Sequence, residues 1–513
     1  MTIPYAQSPR DVIERLNDLR SQDAPTHGGR VLSYVYDSGL SELDELAASA
    51  MLAVQAVNAL DPTTFGSVAV MERELVAFAR EVFHGDDNVV GTVTSGGTES
   101  CMLAVKTARE LWRSDAASRG IAHESVVPRI VAPSSVHAAF HKAAAYFGLR
   151  LELVPVDPSS GLPEVSAFAE LFARADSHEI ALVVVSAPSY PHGVLDPIAE
   201  VSALAANAGI SVHVDACFGG FVLPWWPGLD GARWDLQLPG VTSLSADLHK
   251  YGYAPKGASL LLQRGRDRQR KQFFATTKWA GYPVVNSTLL GSKSATALAA
   301  AWAITQTLGT AGFENLTASV ARATEALAAV VLSIEGLRIV GEPIGPAIAV
   351  ASDEAVEPER RVDPHHWADQ ARVEGWQLQL QPGITQSDGT HLPATAHLTV
   401  TPITESRLPE LSLALVRAAD AVRGVAAVDV GPLLASFGGQ LPAHLDSESA
   451  FALLRAIGLL DPVSVSSADA AGDGTSGATL PERLAPFLAL VEALPPELAE
   501  PLLTELIARL VEP

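Results

Sequence analysis

Between about residue 65 and residue 290, short unbroken apolar runs alternate with stretches of helical hydrophobic period. The runs read VVGTVTS, RIVAPSS, LELVPV, IALVVVSAP, ISVHVDA, VTSLSAD and ASLLLQ. Runs rich in β-branched residues, set between helical patterns, are typical of strands that are buried on both faces. The pattern therefore predicts a large α/β domain with a mainly parallel sheet.

The pattern changes on both sides of this region. Residues 1–60 read as helices around the irregular segment VLSYVYDSG at 31–39. Residues 291–335 are helical, and shorter strands and helices follow them, which predicts a smaller α+β domain. The polar stretch SVSSADAAGDGTSGATL at 464–480 predicts a flexible linker, and one or two amphipathic helices are expected at 481–511.

These patterns divide the chain into four parts. The predicted parts are an N-terminal helical segment at 1–64, the large α/β domain at 65–312, the small α+β domain at 313–435 and a C-terminal helical extension at 436–513.

Charge and cysteine content narrow the classes of function. The chain has 35 Lys and Arg against 58 Asp and Glu, a formal charge of −23 that would repel a nucleic-acid backbone. Two cysteines are too few for the disulfide framework of a secreted domain, which favours the cytoplasm. The apolar runs are strand-sized, so we expect neither a membrane span nor a nucleic-acid partner.

Two residues 35 positions apart carry the first chemical signal, Asp215 in VDA and Lys250 in SADLHKYGYAPKG. A carboxylate at the end of a buried strand can pair with the pyridine nitrogen of pyridoxal 5'-phosphate. A lysine on a later loop can form the Schiff base with the cofactor aldehyde, provided that its pKa is lowered enough to supply a neutral amine. Either residue alone would more often be a cap or a solvated side chain.

The segment TVTSGGTES at 92–100 carries the second signal, because it follows a strand and opens a helix. A Gly-Gly turn at a helix N-terminus lets backbone N–H groups approach a phosphate, and an ordinary capped helix start is the alternative. His137 in SSVHAAFHKAA carries the third signal. Its imidazole could stack on the cofactor ring or simply cap a helix. A metal site is not expected, since His137 and His141 have no evident third ligand.

In their order along the chain, these segments resemble the group II pyridoxal-dependent decarboxylase superfamily, and within it most closely the sphingosine-1-phosphate lyases. The similarity runs from about Val31 to Gly312. It includes YVYDSG, NALDPTTFGSVAVMERELV, GTVTSGGTES, SAPSYPHGVLDPI, HVDACFGGF and GVTSLSADLHKYGYAPKGASLLL. The resemblance implies the fold type I architecture of these enzymes, which is aspartate aminotransferase-like, and pyridoxal 5'-phosphate as cofactor.

The resemblance also implies roles for individual residues. Lys250 would be the Schiff-base lysine, Asp215 the partner of the pyridine nitrogen and His137 the stacking histidine, with Cys217 on the opposite face of the ring. The phosphate of the cofactor would be held by Gly97, Thr98 and His249, and by Ser292 from a neighbouring subunit. Residues expected at the substrate are Tyr36, Asn58, Asp61, Tyr190 and Lys256.

A homodimer with a shared active site follows from this assignment, because the segments GSK at 291–293 and YVYDSG match parts that cross between subunits in the family.

Departures from the lyase pattern bear on the substrate. Asp61 stands where the lyases have a histidine that helps bind the substrate phosphate, and its charge would repel that group. In KWAGYPVV and GSKSA, Lys278, Val284 and Lys293 replace Asp, Tyr and Arg of the family pattern. Lys278 could instead pair with Asp61 and cancel the repulsion.

Three functions remain open at this point for a small amine or amino-acid substrate. The first is a carbon–carbon lyase similar to sphingosine-1-phosphate lyase, which cleaves a bond at Cα of a substrate held on the cofactor. The second is an L-amino-acid decarboxylase. The third is a catalytically inert protein that binds the cofactor.

Overall fold

The computed structural model describes residues 6–21, 23–118, 126–229, 233–436, 444–456, 459 and 483–512. Three helices open the chain: α1 (Pro9–Arg20), α2 (Ser41–Ala53) and α3 (Gly66–Val82). None of the residues of α1 is buried. The segment between α1 and α2 is irregular, as predicted, and crosses to the small domain, where the Leu32 N–H donates to the Gln377 carbonyl (2.8 Å).

A seven-stranded sheet forms the centre of the chain. Its strands are β1 (Val89–Thr94), β2 (Arg129–Pro133), β3 (Arg150–Val154), β4 (Ile180–Ser186), β5 (Val212–Asp215), β6 (Val241–Ala246) and β7 (Ser259–Arg264). Their order is β1-β7-β6-β5-β4-β2-β3, with β7 antiparallel to both neighbours and the other pairs parallel. All seven predicted strands and the mainly parallel sheet are confirmed.

Helices cover both faces of this sheet. They are α4 (Gly97–Ser118), α5 (Ala138–Phe147), α6 (Val165–Ala173), α7 (Ile198–Asn207) and α8 (Arg266–Gln272). Successive residues of β4 alternate between the two sides: Val183 belongs to the larger core and Val184 to the core under α4 and α5. Every residue of β4 is buried, which explains its unbroken apolar run.

A hairpin of β8 (Phe274–Thr276) and β9 (Val284–Asn286) leads into the long helix α9 (Thr296–Ser333). The helix breaks at Gly309, whose φ of 50° and ψ of −171° are not helical, and the predicted domain boundary at 312 falls just beyond this break. Among the described residues α9 is long and apolar enough to cross a membrane by length and composition. It nevertheless contributes Leu298 and Ile304 to the larger core, as a core helix does.

The small domain has its own antiparallel sheet. Its strands are β10 (Leu337–Ile339), β11 (Ala347–Ser352), β12 (Gln379–Gln381) and β15 (Thr395–Thr399), in the order β10-β11-β15-β12, and a separate hairpin comprises β13 (Ile384–Thr385) and β14 (His391–Leu392). The helices α10 (Pro364–Val373) and α11 (Pro402–Val422) pack together beside it. The predicted strands and helices of this region are confirmed, and the hairpin was not predicted.

The hairpin of the small domain reaches the large domain through Gln386. The side-chain amide of Gln386 accepts from the Val156 N–H (2.8 Å) and donates to the Val156 carbonyl (2.8 Å). The same side chain contacts the Ser134 hydroxyl, in the loop that leads to His137.

Four helices follow the small domain: α12 (Gly431–Ser436), α13 (Ser447–Ala456), α14 (Ala485–Ala493) and α15 (Pro496–Val511). The last two confirm the helices expected at 481–511, whereas the predicted linker at 464–480 lies outside the described residues. The Asp369 carboxylate of α10 accepts from the N–H groups of Leu484 and Ala485 (2.9 Å each), which fixes the start of α14 against the small domain.

Candidate active site

Eight of the predicted site residues line one cavity of about 370 Å³ at the carboxyl ends of β4, β5 and β6. They are Gly97, Thr98, His137, Tyr190, Asp215, Cys217, His249 and Lys250. In a parallel sheet the loops after neighbouring strands converge at this edge, so residues far apart in sequence meet there.

Lys250 pairs with a carboxylate that the sequence analysis did not single out. Its Nζ lies 3.0 Å from Oδ2 of Asp247, which follows β6 directly and is almost wholly buried. Burial favours a neutral amine, but the negative groups around it, Asp247 first, hold the pKa of Lys250 well above its ordinary value. The expectation of a lowered pKa is therefore wrong for the cofactor-free chain, because Asp247 stabilises the charged amine.

Asp215 ends β5 and its carboxylate is buried. Its Oδ1 accepts from the Cys217 N–H (3.0 Å) and the Ser245 hydroxyl (3.3 Å). Burial raises the pKa of Asp215, yet His137, His213 and the hydrogen bonds from Cys217 outweigh that effect and keep the pKa below its ordinary value. Asp215 is thus an ionised carboxylate on the floor of the cavity.

His137 both lines the cavity and caps helix α5. The cap predicted from the sequence is therefore present, and the ring is also free to contact a cofactor in the cavity. Its Nδ1 accepts from the Ala139 N–H at the start of α5 (3.1 Å), which leaves the proton of the neutral ring on Nε2. Burial lowers its pKa, so the ring is neutral at pH 7. The ring of Tyr190 stands edge-on to it at 6.5 Å.

A group of aromatic and basic side chains borders the cavity. Nζ of Lys256 lies 4.4 Å from the centre of the Tyr36 ring and donates to the His249 carbonyl (3.2 Å). Burial of the amine, and then the charge of Lys250, lower the pKa of Lys256 to about 8. Burial raises the pKa of Tyr36 above its ordinary value and that of Tyr190 to about 12.

The position of Tyr36 corrects one expectation. The ring of Tyr36 contacts Lys256 and Tyr251 of its own chain, and the charge of Lys250 acts on its hydroxyl. The prediction that the YVYDSG segment crosses to a neighbouring subunit is therefore wrong for Tyr36. The segment folds back over its own chain because it is held between the small domain and the core.

The start of α4 leaves a compact space for an anion. The Ser95 N–H and hydroxyl are occupied by the Glu99 carboxylate (2.7 and 2.8 Å), whereas Gly97 and Thr98 are the first helical residues, whose N–H groups have no partner within the helix. A Cβ on Gly97 would lie 2.7 Å from Asp247 Oδ2 and 2.9 Å from Cys217 Sγ, so only glycine fits.

Two buried polar atoms near this helix start, Oδ1 of Asp247 and Nδ1 of His249, have no hydrogen-bond partner among the described residues. Unpaired buried groups are costly unless a ligand completes them. This cavity fits pyridoxal 5'-phosphate. It offers an ionised carboxylate for the ring nitrogen, an amine for the aldehyde and a helix start for the phosphate.

Asn58, Asp61 and Ser292 lie in a second cavity, of about 850 Å³. The Asn58 amide donates to the Ser292 hydroxyl (3.2 Å). The Asp61 carboxylate accepts from the hydroxyls of Thr63 (2.6 Å) and Thr64 (2.8 Å), and these hydrogen bonds lower its pKa to about 2. In the described part of the chain, Asp61 and Lys278 form no salt bridge.

Sequence reasoning missed three residues of the site. Asp247 stands three positions before Lys250 in the quoted segment, so its spacing was an available signal. Gln379 accepts the Tyr190 hydroxyl (2.6 Å), and the His397 ring stacks on Tyr190 with centres 4.4 Å apart. Both come from strands of the small domain, and no local pattern marks them.

Two family models match the chain. The "pyridoxal-dependent decarboxylase conserved domain" matches residues 51–351, and the "pyridoxal-dependent enzyme, C-terminal putative HTH domain" matches residues 426–509. The first of them covers more than half of the chain, and contains all of the predicted site residues except Tyr36.

Several similar proteins are sphingosine-1-phosphate lyases. The chain is 37% identical to lyase 1 of Rattus norvegicus over 353 residues, 68% of this chain and 59% of the relative. It is 33% identical to the lyase of Oryza sativa subsp. japonica over 407 residues, 78% of this chain and 71% of the relative. The chain thus spans about three-fifths of the rat protein's length.

Solved structures agree with these sequence matches. A sphingosine-1-phosphate lyase of Burkholderia pseudomallei superposes with a TM-score of 0.73 at 30% identity, covering 86% of this chain and 95% of that one. A glutamate decarboxylase of Lactobacillus brevis has the same TM-score of 0.73 at 19% identity, over 84% of this chain and 96% of the other. The latter similarity concerns the fold alone.

Proposed function

Because the chain belongs to the pyridoxal-dependent decarboxylase family, we propose that it is a carbon–carbon lyase similar to sphingosine-1-phosphate lyase, acting on a small amino-bearing substrate. The observation that carries this proposal is the single cavity that joins the Lys250 amine, the Asp215 carboxylate and the His137 imidazole. Identity of 30% to the Burkholderia pseudomallei lyase, against 19% to a decarboxylase with the same TM-score, favours the lyase.

The residues of the cavity suit each part of pyridoxal 5'-phosphate. Lys250 would hold the aldehyde carbon, Asp215 the ring nitrogen, and Gly97, Thr98 and His249 the phosphate. His137 and Cys217 would lie against the two ring faces. When bound, the cofactor supplies an electron sink for the electron pair left at Cα after bond cleavage.

Residues at the rim of the cavity take up, hold and donate the protons of the reaction. Cleavage beside a hydroxyl requires a base to take the hydroxyl proton, and a pKa of about 8 lets Lys256 exchange a proton near neutrality. Tyr190, with a pKa of about 12, stays protonated, and its hydroxyl donates to Gln379. Tyr36 also stays protonated and orients Lys256 through its ring. His137 presents Nε2–H as a donor.

A decarboxylase is the second candidate, and Asp61 is the observation that favours it. A carboxylate with a pKa of about 2 is ionised at every physiological pH, and it suits a substrate that lacks a phosphate. The same position is compatible with a lyase for a less anionic substrate.

We further propose that the working unit is a homodimer, in which Ser292 completes the phosphate site of the neighbouring subunit. Exposed apolar side chains cluster in the segment before Ser292: Phe274, Trp279, Tyr282, Val285, Leu289 and Leu290. Such a patch is unusual on a monomer and supports a second copy as its partner.

The C-terminal helices are poorly suited to nucleic acid, despite the name of the family model that they match. Residues 426–509 contain three arginines and no lysine against eleven Asp and Glu. Proteins that bind a phosphate backbone carry the opposite charge. We therefore propose that this region serves the enzyme itself.

A product screen by mass spectrometry tests the function. Purified protein with added cofactor is incubated with amino acids, with long-chain aminoalcohols and with their phosphates. A fatty aldehyde together with an aminoethanol fragment identifies the lyase, whereas carbon dioxide and an amine identify the decarboxylase. No turnover of any compound would favour the inert cofactor-binding protein.

A further inference from the structure

The only two cysteines of the chain, Cys101 and Cys217, meet at the floor of the cavity. Cys101 lies on α4 and Cys217 follows β5, so the fold joins them across 116 residues. Their Sγ atoms are 4.0 Å apart. These two sulfurs and a carboxylate oxygen of Asp215 all lie within 4.8 Å of one another, and all three residues are buried.

This arrangement has the composition and size of a site for a soft cation. Zn²⁺ binds thiolates at about 2.3 Å in tetrahedral geometry, which separates two sulfur ligands by roughly 3.8 Å. The observed separation of 4.0 Å needs only a small adjustment. Thiolates disfavour hard cations such as Mg²⁺ and Ca²⁺, which take oxygen ligands.

We propose that the cofactor-free chain binds one divalent cation of the zinc class through Cys101, Cys217 and Asp215, and that this cation and pyridoxal 5'-phosphate exclude each other. The exclusion rests on the proposed cofactor site, since Asp215 and Cys217 serve both ligands. The cation site itself rests only on the geometry of the three donors.

Coordination releases the two thiol protons to solvent, so the two sulfurs bind as thiolates. Burial raises the pKa of both cysteines, and the carboxylates of Asp215 and Asp247 raise it further. His137 and Lys250 also face this part of the cavity. Affinity for the cation therefore increases with pH, because both thiols must lose their protons to bind it.

Cd²⁺ is a suitable probe, because its thiolate complexes absorb in the ultraviolet. Full-length protein stripped of cofactor and kept reduced is titrated with Cd²⁺. We expect a charge-transfer band that saturates at one Cd²⁺ per chain and that Zn²⁺ removes by displacement. Protein loaded with pyridoxal 5'-phosphate should give no band, and prior loading with Zn²⁺ should prevent uptake of the cofactor.

Two substitutions on α4 make a matched pair. Cys101→Ala removes one thiolate and should weaken Cd²⁺ binding by at least about a hundredfold, because even outer-shell changes cost 10- to 100-fold. Val105→Ala removes a buried side chain from the same helix without removing a donor, and should leave the band unchanged. Both variants should bind the cofactor within about threefold of the unmodified protein.

Absence of the band, or an equal band in Cys101→Ala, would overturn the cation site. An equal band in cofactor-loaded protein would overturn the exclusion. Failure of the chain to bind pyridoxal 5'-phosphate would refute the exclusion and the proposed function together. The Cd²⁺ titration would still decide whether the cation site exists.

Discussion

Nζ of Lys256 lies 4.4 Å from the centre of the Tyr36 ring and 3.2 Å from the His249 carbonyl, at the rim of the site that contains Lys250. This amine is held by an aromatic face and a carbonyl, and among the described residues it forms no salt bridge. Its pKa of about 8 therefore reflects burial and the neighbouring Lys250 charge, and it places the titration of Lys256 within the working range of an enzyme.

The first prediction concerns pH. Lys256 is protonated below its pKa of about 8 and neutral above it. If Lys256 takes the hydroxyl proton, only its neutral form is active, so kcat/KM should rise by about tenfold per pH unit up to that value and level off above it. Lys256→Arg stays protonated in this range and should lose both this rise and most of kcat/KM. The measurement is kcat/KM against pH for both proteins, and an unchanged profile in Lys256→Arg would assign the rise to another group.

The second prediction identifies the lysine that binds the cofactor. Purified protein with added pyridoxal 5'-phosphate should show an absorption band of the lysine-bound cofactor, and borohydride should fix the cofactor on Lys250. Lys250→Ala should lose both the band and the adduct. Lys256→Ala is the matched control and should keep them. Peptide mapping by mass spectrometry locates the adduct. An adduct on Lys256 would show that Lys250 is not the lysine that binds the cofactor.

The third prediction concerns Asp215. A neutral amide cannot stabilise a protonated ring nitrogen, so Asp215→Asn should retain cofactor but lose about 10²-fold or more of kcat. Asp235 is another buried aspartate, paired with His84 at 2.7 Å outside the cavity. Asp235→Asn should therefore keep near-normal turnover. Steady-state rates of the three proteins provide the comparison, and near-normal turnover by Asp215→Asn would remove this residue from the mechanism.

The fourth prediction concerns the shared site. If Ser292 serves the neighbouring subunit, mixing inactive Lys250→Ala and Ser292→Trp chains should restore part of the activity, because one hybrid site then receives only unmodified parts. Tyr36 lies beside Lys250 of its own chain, so a mixture of Lys250→Ala and Tyr36→Phe chains leaves one damaged residue in each hybrid site. This second mixture should restore no activity, which makes it the control for the first.

Subunit exchange is verified in these mixtures by a mass difference between tagged chains. No recovery with the Ser292 pair after verified exchange would place Ser292 in its own chain's site, and recovery with the Tyr36 pair would show that Tyr36 serves the neighbouring subunit. A single monomeric species in light scattering would contradict the dimer directly.

The fifth prediction concerns substrate charge. Asp61→His should raise kcat/KM for a phosphorylated aminoalcohol and lower it for a less anionic substrate, since an ionised carboxylate is removed. Asp157 accepts from Ser159 and Ser160 in the same kind of turn, outside both cavities, so Asp157→His controls for loss of the turn. Efficient cleavage of sphingosine-1-phosphate by the unmodified protein would show that Asp61 does not exclude phosphate.

The strands of the large domain could be predicted because burial on both faces leaves a continuous apolar run, as in β4. Asp215 and Lys250 could be found because Asp215 ends such a strand and Lys250 lies in the loop that follows another. Gln379 and His397 could not, because they reach Tyr190 from another domain, and no periodicity encodes how two domains pack. The charge state of Lys250 also escaped prediction, since it depends on a 3.0 Å contact with Asp247 and not on the motif.

Tyr36 was placed in the wrong subunit by resemblance alone. Its position is decided by contacts of the irregular segment with Gln377 and Thr399 of the small domain, which tie the segment to its own chain. Such tertiary contacts leave no trace in a local motif.

The side-chain amide of Gln386 occupies both the N–H and the carbonyl of Val156, just beyond the end of β3. Strand β3 is the last strand of the large sheet, and an edge strand recruits strands of other molecules through these same two backbone groups. The hairpin of the small domain therefore occupies the backbone just beyond this edge strand, so an incoming strand cannot extend its pairing past β3. Gln386→Ala would free the two backbone groups of Val156 for pairing with another molecule.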